Sequence, residues 1–125
     1  MKPDSGLFFE LSVFNEFRAS HSLAGFETPH FHLFKVAAVF RVPHPLTGDR
    51  VLDLVFLQKV LDCSLHPLHN CHLNSTLPFS PTSENLCVWL REELVRQLPD
   101  APLHSVSIEL ADLDGRSMGK ATLGP

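Results

Sequence analysis

Two stretches of this chain carry apolar residues at most of their alternate positions, and a period of two commits both to β-strands. In the first, residues 7 to 20, Phe9, Leu11 and Val13 share one face, and Phe17, Ala19 and His21 continue it. In the second, residues 30 to 42, the even positions are His30, His32, Phe34, Val36, Ala38, Phe40 and Val42, and the odd positions include Phe31, Leu33, Lys35, Ala37, Val39 and Arg41. The even face therefore begins polar, at two histidines, and becomes core. Pro45-Leu46-Thr47-Gly48-Asp49 is a turn that ends it.

The histidines carry the first chemical suggestion. His30 and His32 are two residues apart, so on a strand their side chains leave the same face. His21 closes the preceding strand, and the short return from Ser22 to Pro29 brings it beside the pair. Three neutral imidazoles on one sheet face make a metal site with an open fourth position, the arrangement of a catalytic zinc centre. Glu27 stands where it reaches the open side as a base. The plainer alternative is that some of the eight histidines simply make ordinary surface or core hydrogen bonds.

Beyond the turn, Asp53 is an N-cap for a helix over about 54–64, with Leu54, Leu57, Val60 and Leu61 at helical spacing. Residues 65–80, rich in His, Pro, Asn and Ser, read as a loop. A second helix spans about 82–98: Ser80 or Thr82 caps it, Pro81 suits its first turn, Glu84 favours its N-terminal dipole, and Leu86, Leu90 and Leu94 form its apolar stripe. Pro99 and Pro102 stop it. Val106, Ile108 and Leu110 alternate in a third strand, and a fourth covers about 117–123, after Asp114-Gly115. The order strand, strand, helix, helix, strand, strand is an α+β domain, a four-stranded antiparallel sheet with two helices on one face.

Composition narrows the classes. A chain of 125 residues is one domain, 1–125, and 44% hydrophobic residues suffice for a core. A net charge of -4 with no basic block argues against nucleic acid as a partner. No run reaches the ~20 apolar residues of a membrane helix, and Glu10 interrupts the apolar run near the N-terminus, so no secretory leader and no membrane partner are expected. Three cysteines, Cys63, Cys71 and Cys87, lack metal-type spacing and are odd in number, which points to a reducing, cytoplasmic compartment.

Five segments in order then resemble the 6-pyruvoyl/6-carboxytetrahydropterin synthase family, over roughly residues 8–122. Phe17, Ala19 and His21 match F-x-A-x-H, and His30 and His32 match H-G-H with Phe31 in place of glycine. Asp53-Leu54-Val55-Phe56-Leu57-Gln58 is similar to D-F-x-x-L-K. Leu73-Asn74 followed by Pro81-Thr82-Ser83-Glu84-Asn85 matches L-N and P-T-S-E-N, and Val106-Ser107-Ile108-Glu109 resembles V-x-V-E-T. The resemblance implies the ββααββ tunnelling fold, a small-molecule pterin substrate and a Zn2+ cofactor held by His21, His30 and His32. It implies that Glu109 grips the guanidine-like edge of the pterin, since a carboxylate accepts two parallel N–H bonds, and that Thr82 contacts the same ring. It also implies a homohexamer, a dimer of trimers whose sheets close into barrels and whose sites lie between subunits. Open sheets leave edges that must be covered.

The departures choose among reactions. Members that make pyruvoyl- or carboxytetrahydropterin carry a cysteine four residues before the first histidine of H-G-H, and here that residue is Phe26. Glu27-Thr28-Pro29-His30-Phe31-His32 is instead similar to the Glu-x-x-His-Gly-His subgroup. There the glutamate is the base, and the 7,8-dihydroneopterin side chain is cleaved to 6-hydroxymethyl-7,8-dihydropterin and glycolaldehyde, as in folate synthesis. The usual L-D-H-x-x-L-N reads Leu68-His69-Asn70-Cys71-His72-Leu73-Asn74, so the Asp–His proton relay is missing. His69 or His72 is the candidate replacement, as imidazoles titrate near neutral pH. Cys71 reads as a structural thiol. A zinc-dependent pterin lyase is the leading expectation. The alternatives are a 6-pyruvoyl/6-carboxytetrahydropterin synthase-type reaction with another base, and a catalytically silent pterin-binding homologue.

Overall fold

In the computed structural model, residues 6–22, 28–44 and 52–125 are described. Strands β1 (Leu7–His21), β2 (His30–His44), β3 (Leu103–Ala111) and β4 (Ser117–Leu123) form one sheet in the order β1-β2-β3-β4, each pair antiparallel. Helices α1 (Leu54–Leu65), α2 (Leu73–Thr76) and α3 (Ser83–Gln97) lie between β2 and β3, with a short 3-10 turn at His66–Leu68. The α+β architecture read from the element order, a four-stranded antiparallel sheet with helices, is the one observed, and it agrees with the fold that the resemblance implies. The turn Pro45–Asp49 lies outside the described residues.

The alternation divides the sheet into two unlike faces. Val13, Phe17 and Ala19 of β1, Phe34, Val36, Ala38 and Phe40 of β2, and Val106 and Ile108 of β3 are buried. Against them pack Leu57, Leu61 and Leu65 of α1 and Leu86, Leu90 and Leu94 of α3, each set spaced i, i+4, i+8 on one helix side. Phe17 and Phe34, directly opposite across the strands, stack with centroids 4.9 Å apart. Full burial of each such ring is worth about 1.5–3 kcal/mol. The other face carries charge. Register places Glu16 opposite Lys35, Lys35 opposite Glu109 and Glu109 opposite Lys120, an alternating row across all four strands.

The caps follow expectation in part. Asp53 accepts from the Val55 N–H at 2.9 Å, and Thr82, rather than Ser80, accepts from the Asn85 N–H at 3.1 Å. Leu54, counted in the apolar stripe of α1, is exposed, and the buried stripe begins at Leu57. The stretch read as a loop, 65–80, contains the 3-10 turn and α2. Its polar residues conceal four buried leucines, Leu65 at the end of α1 and then Leu68, Leu73 and Leu77, which anchor it on the core. No helix is long and apolar enough to cross a membrane among the described residues.

This anchored segment also closes part of the outer edge of β1. The Asn70 N–H donates to Arg18 O at 2.6 Å, and the Ser20 N–H donates to Cys71 O at 2.9 Å. Further back, the Gln58 side chain of α1 accepts from the Phe14 N–H at 3.2 Å and donates to Phe14 O. An edge strand thus finds its partners inside its own chain, which satisfies backbone groups that would otherwise face water.

Candidate metal centre

His21 ends β1 and His30 begins β2, and the two are register partners; His32 lies opposite Ala19. All three share the helix-facing side, where the apolar core reaches the end of the sheet. One ring nitrogen from each lies within 4.8 Å of the others. His21 and His32 are buried and His30 is exposed, so the cluster has a closed floor and an open side. The floor is Phe34, whose ring is 5.4 Å from that of His21 and 6.3 Å from that of His32.

Hydrogen bonds select the tautomers of two rings. His21 Nδ1 lies 3.3 Å from Pro81 O, and His30 Nδ1 lies 3.0 Å from Thr28 O. A carbonyl oxygen only accepts, so each Nδ1 carries the proton and Nε2 of the neutral ring carries the lone pair. Backbone carbonyls that hold the second nitrogen of a histidine are the usual support of a metal ligand. Three neutral imidazoles with an open side fit zinc by donor chemistry, and they also accept other borderline divalent ions.

Two segments hold the cluster in place. The first is 80–85. Thr82 caps α3, and the Asn85 side chain donates back to Ser80 O at 2.9 Å. Together they fix the turn that presents Pro81 O to His21. The Thr82 hydroxyl, expected to touch a substrate ring, is occupied as a helix cap on the residue that follows that carbonyl. The second is 70–74. Besides its backbone bonds to Arg18 and Ser20, its His72 Nδ1 lies 2.9 Å from Ser20 Oγ. Its Asn74 accepts from the Ser22 N–H at 2.9 Å and donates to Ser22 O at 2.7 Å. Sequence reasoning quoted Leu73-Asn74 and the Pro81–Asn85 segment but gave Asn74 and Asn85 no role. Asn85, three residues after a helix cap, carried a signal, whereas Asn74, 52 residues from Ser22, carried none.

The remaining candidates are scattered. His69 shares the helix-facing side, its ring edge-on to Phe17 at 6.1 Å, one layer below the histidines. His72 is tied to Ser20, which neighbours His21 on the strand and so points to the opposite face. Asn70, where a relay histidine was expected, has φ 57, a left-handed conformation that asparagine enters more readily than most residues. Glu109 lies between Lys35 and Lys120 on the charged face. One chain therefore brings His21, His30 and His32 together and leaves Glu109 on the other side of the sheet. Glu27, the candidate base, and Phe26 lie outside the described residues. Cys71 donates to Leu68 O at 3.2 Å, a structural contact, and burial pushes the Cys87 thiol above its ordinary value, keeping it protonated.

The model of the family described as 6-pyruvoyl tetrahydropterin synthase matches residues 10–115. Among solved structures, 6-pyruvoyl tetrahydropterin synthase of Caenorhabditis elegans superposes with a TM-score of 0.73 at 20% identity, covering 95% of this chain and 96% of that one. An uncharacterized protein of Wolinella succinogenes gives 0.69 at 16% identity, covering 95% and 99%. A Plasmodium vivax 6-pyruvoyltetrahydropterin synthase, with a catalytic glutamate replaced by alanine, gives 0.67 at 15%, covering 95% and 98%. At these identities the likeness is one of fold. No curated protein sequence matches the chain significantly.

Proposed function

The chain belongs to the 6-pyruvoyl tetrahydropterin synthase family, whose members are lyases, and from that premise we propose that it is a zinc-dependent pterin lyase acting on the side chain of 7,8-dihydroneopterin. The observation that carries this reading is the convergence of His21, His30 and His32 on one side of the sheet. Zinc held there would act as a Lewis acid toward the side-chain hydroxyls. Glu27 takes the proton of the second side-chain hydroxyl as general base. The bond between the first two side-chain carbons breaks, its electron pair passes into the imine of the dihydropterin ring, and the first carbon is then protonated. The products are 6-hydroxymethyl-7,8-dihydropterin and glycolaldehyde, a folate-type step. The Plasmodium relative, whose structure names a glutamate as catalytic residue, supports assigning this role to Glu27, as does Phe26 where a cysteine base would stand.

Glu109 anchors the guanidine-like edge of the pterin by two charge-assisted bonds, with Thr82 beside the ring. Glu109 and the histidines leave opposite faces of one sheet. That opposition supports a site assembled between subunits, with the histidines of one chain and the carboxylate of another, in the homohexamer of two trimers that the family resemblance implies. His69, on the histidine side, is the better placed of the two relay candidates. The three free cysteines suit a cytoplasmic protein.

A second reading is favoured by one observation. Asn70 serves the backbone, and His72 is engaged with Ser20, so the segment that would hold a proton relay holds a strand end instead. A silent pterin-binding homologue would look like this. Incubation of the zinc-loaded protein with 7,8-dihydroneopterin, with chromatographic separation of products and a Glu27→Gln control, separates the two. Hydroxymethyl-dihydropterin that disappears in the control is the expected outcome. Bound pterin without product would sink the lyase reading and leave the binder.

A further inference from the structure

We propose that Asn74 is a positioning residue for the metal centre, holding His21 through the backbone of Ser22. The inference rests on the reading of His21, His30 and His32 as metal ligands. His21 is the last residue of β1, where a strand end frays unless its neighbours are tied. On the inner side it is register partner to His30. On the outer side the residues flanking it, Ser20 and Ser22, face the 70–74 segment. Ser20 gives its N–H to Cys71 O and its hydroxyl meets His72 Nδ1. Among the described residues, the side chain that holds Ser22 is that of Asn74. The Asn74 amide accepts from the Ser22 N–H and donates to Ser22 O, at 2.9 and 2.7 Å. One amide thus reproduces the two bonds that a neighbouring strand would make.

The base of this grip is firm. Asn74 is the second residue of α2, and Leu73 before it is fully buried. The core therefore fixes Leu73, Leu73 fixes Asn74, Asn74 fixes Ser22, and the strand end carrying His21 is set before any ion arrives. Pro81 O then orients the ring itself. A ligand whose main chain is already ordered loses less freedom on binding, so the grip shows up as metal affinity and coordination geometry.

The test uses the purified full chain and two probes, cobalt(II), whose visible bands report coordination geometry, and zinc in competition with a chromophoric chelator. Four variants are compared: Asn74→Ala, Asn74→Ser, His32→Ala and Gln97→Ala. The last removes a bond from Gln97 Nε2 to Ser64 Oγ, 2.8 Å long, between α1 and α3, and is the control for a general loss of stability. Asn74→Ala is expected to weaken metal binding about tenfold, the lower end for loss of a ligand's supporting partner, and to alter the cobalt bands. Asn74→Ser keeps one polar atom, cannot engage both groups, and falls between. Gln97→Ala should lower the melting temperature and leave affinity and bands unchanged. Unchanged affinity and bands in both Asn74 variants would overturn the assignment while the metal reading stands. Equal losses in Gln97→Ala would also overturn it, reducing Asn74 to a stability residue. If the unsubstituted chain shows no binding that His32→Ala removes, the metal reading fails and the inference falls with it.

Discussion

On the side of the sheet that meets the helices, cross-strand neighbours are apolar, Phe17 with Phe34 and Val13 with Ala38, until the last layer, where His32 lies opposite Ala19 and His30 opposite His21. On the other side the neighbours are charges, Glu16, Lys35, Glu109 and Lys120 in one row. The same period of two generates both. What differs is water. The first face is desolvated by α1 and α3, so its side chains contribute to stability, and at its open end the same dryness surrounds two of three imidazoles. The second face is half-exposed, so its charged side chains contribute little to folding. Its charges remain available to a ligand or to another subunit.

The contrast is sharpest in adjacent residues. Phe34→Ala should destabilise the fold by about 3–5 kcal/mol, read as a lower urea midpoint, while Lys35→Ala, one residue on and facing the other way, should stay within about 1 kcal/mol. Similar losses at both positions would break the comparison. Next in size, Glu109→Gln should weaken binding of the fluorescent pterin neopterin by about 1.5–3 kcal/mol, the worth of hydrogen bonds to a charged group, with zinc affinity unchanged. A parallel fall in zinc affinity would mean that the two faces of one chain act together. The smallest effect is expected at the seam between helix and histidines. Thr82→Ala should cost about 1 kcal/mol of stability through the lost cap and loosen the turn presenting Pro81 O to His21, and Thr82→Ser should restore both.

Strands, faces and the histidine cluster were legible because each is written in side chains. The apolar positions from Phe9 to Ala19 and from Phe34 to Val42 state which residues point inward, and two histidines two residues apart on a strand can only share a side. Leu86, Leu90 and Leu94 did the same for α3. What escaped was contact made by backbone. Ser20 sits at a position that alternation assigns to the outer face, yet it is 6% exposed, because Cys71 and His72 lie along the edge of β1. Main-chain pairing between a strand edge and an irregular segment leaves no side-chain signature. The leucines of 65–80 were lost for another reason: they stand at unequal spacings among prolines, histidines and asparagines, so no single period marks them. The opposition of Glu109 and the histidines was latent in the parity of their positions, but parity relates two strands only once their register is known.

The occupied edge of β1 has a consequence for solubility. An unpaired strand edge invites a strand from another molecule, and chains that accept such visitors without limit grow into fibres. Between Phe14 and Ser20 a visiting strand would meet the Gln58 amide and the backbone of Asn70 and Cys71, already bonded to the positions it needs. The half of β1 that leads to the histidines is therefore a poor template for runaway stacking. The residues that keep His21 in place also protect the protein against self-propagating aggregation at its chemically most valuable end.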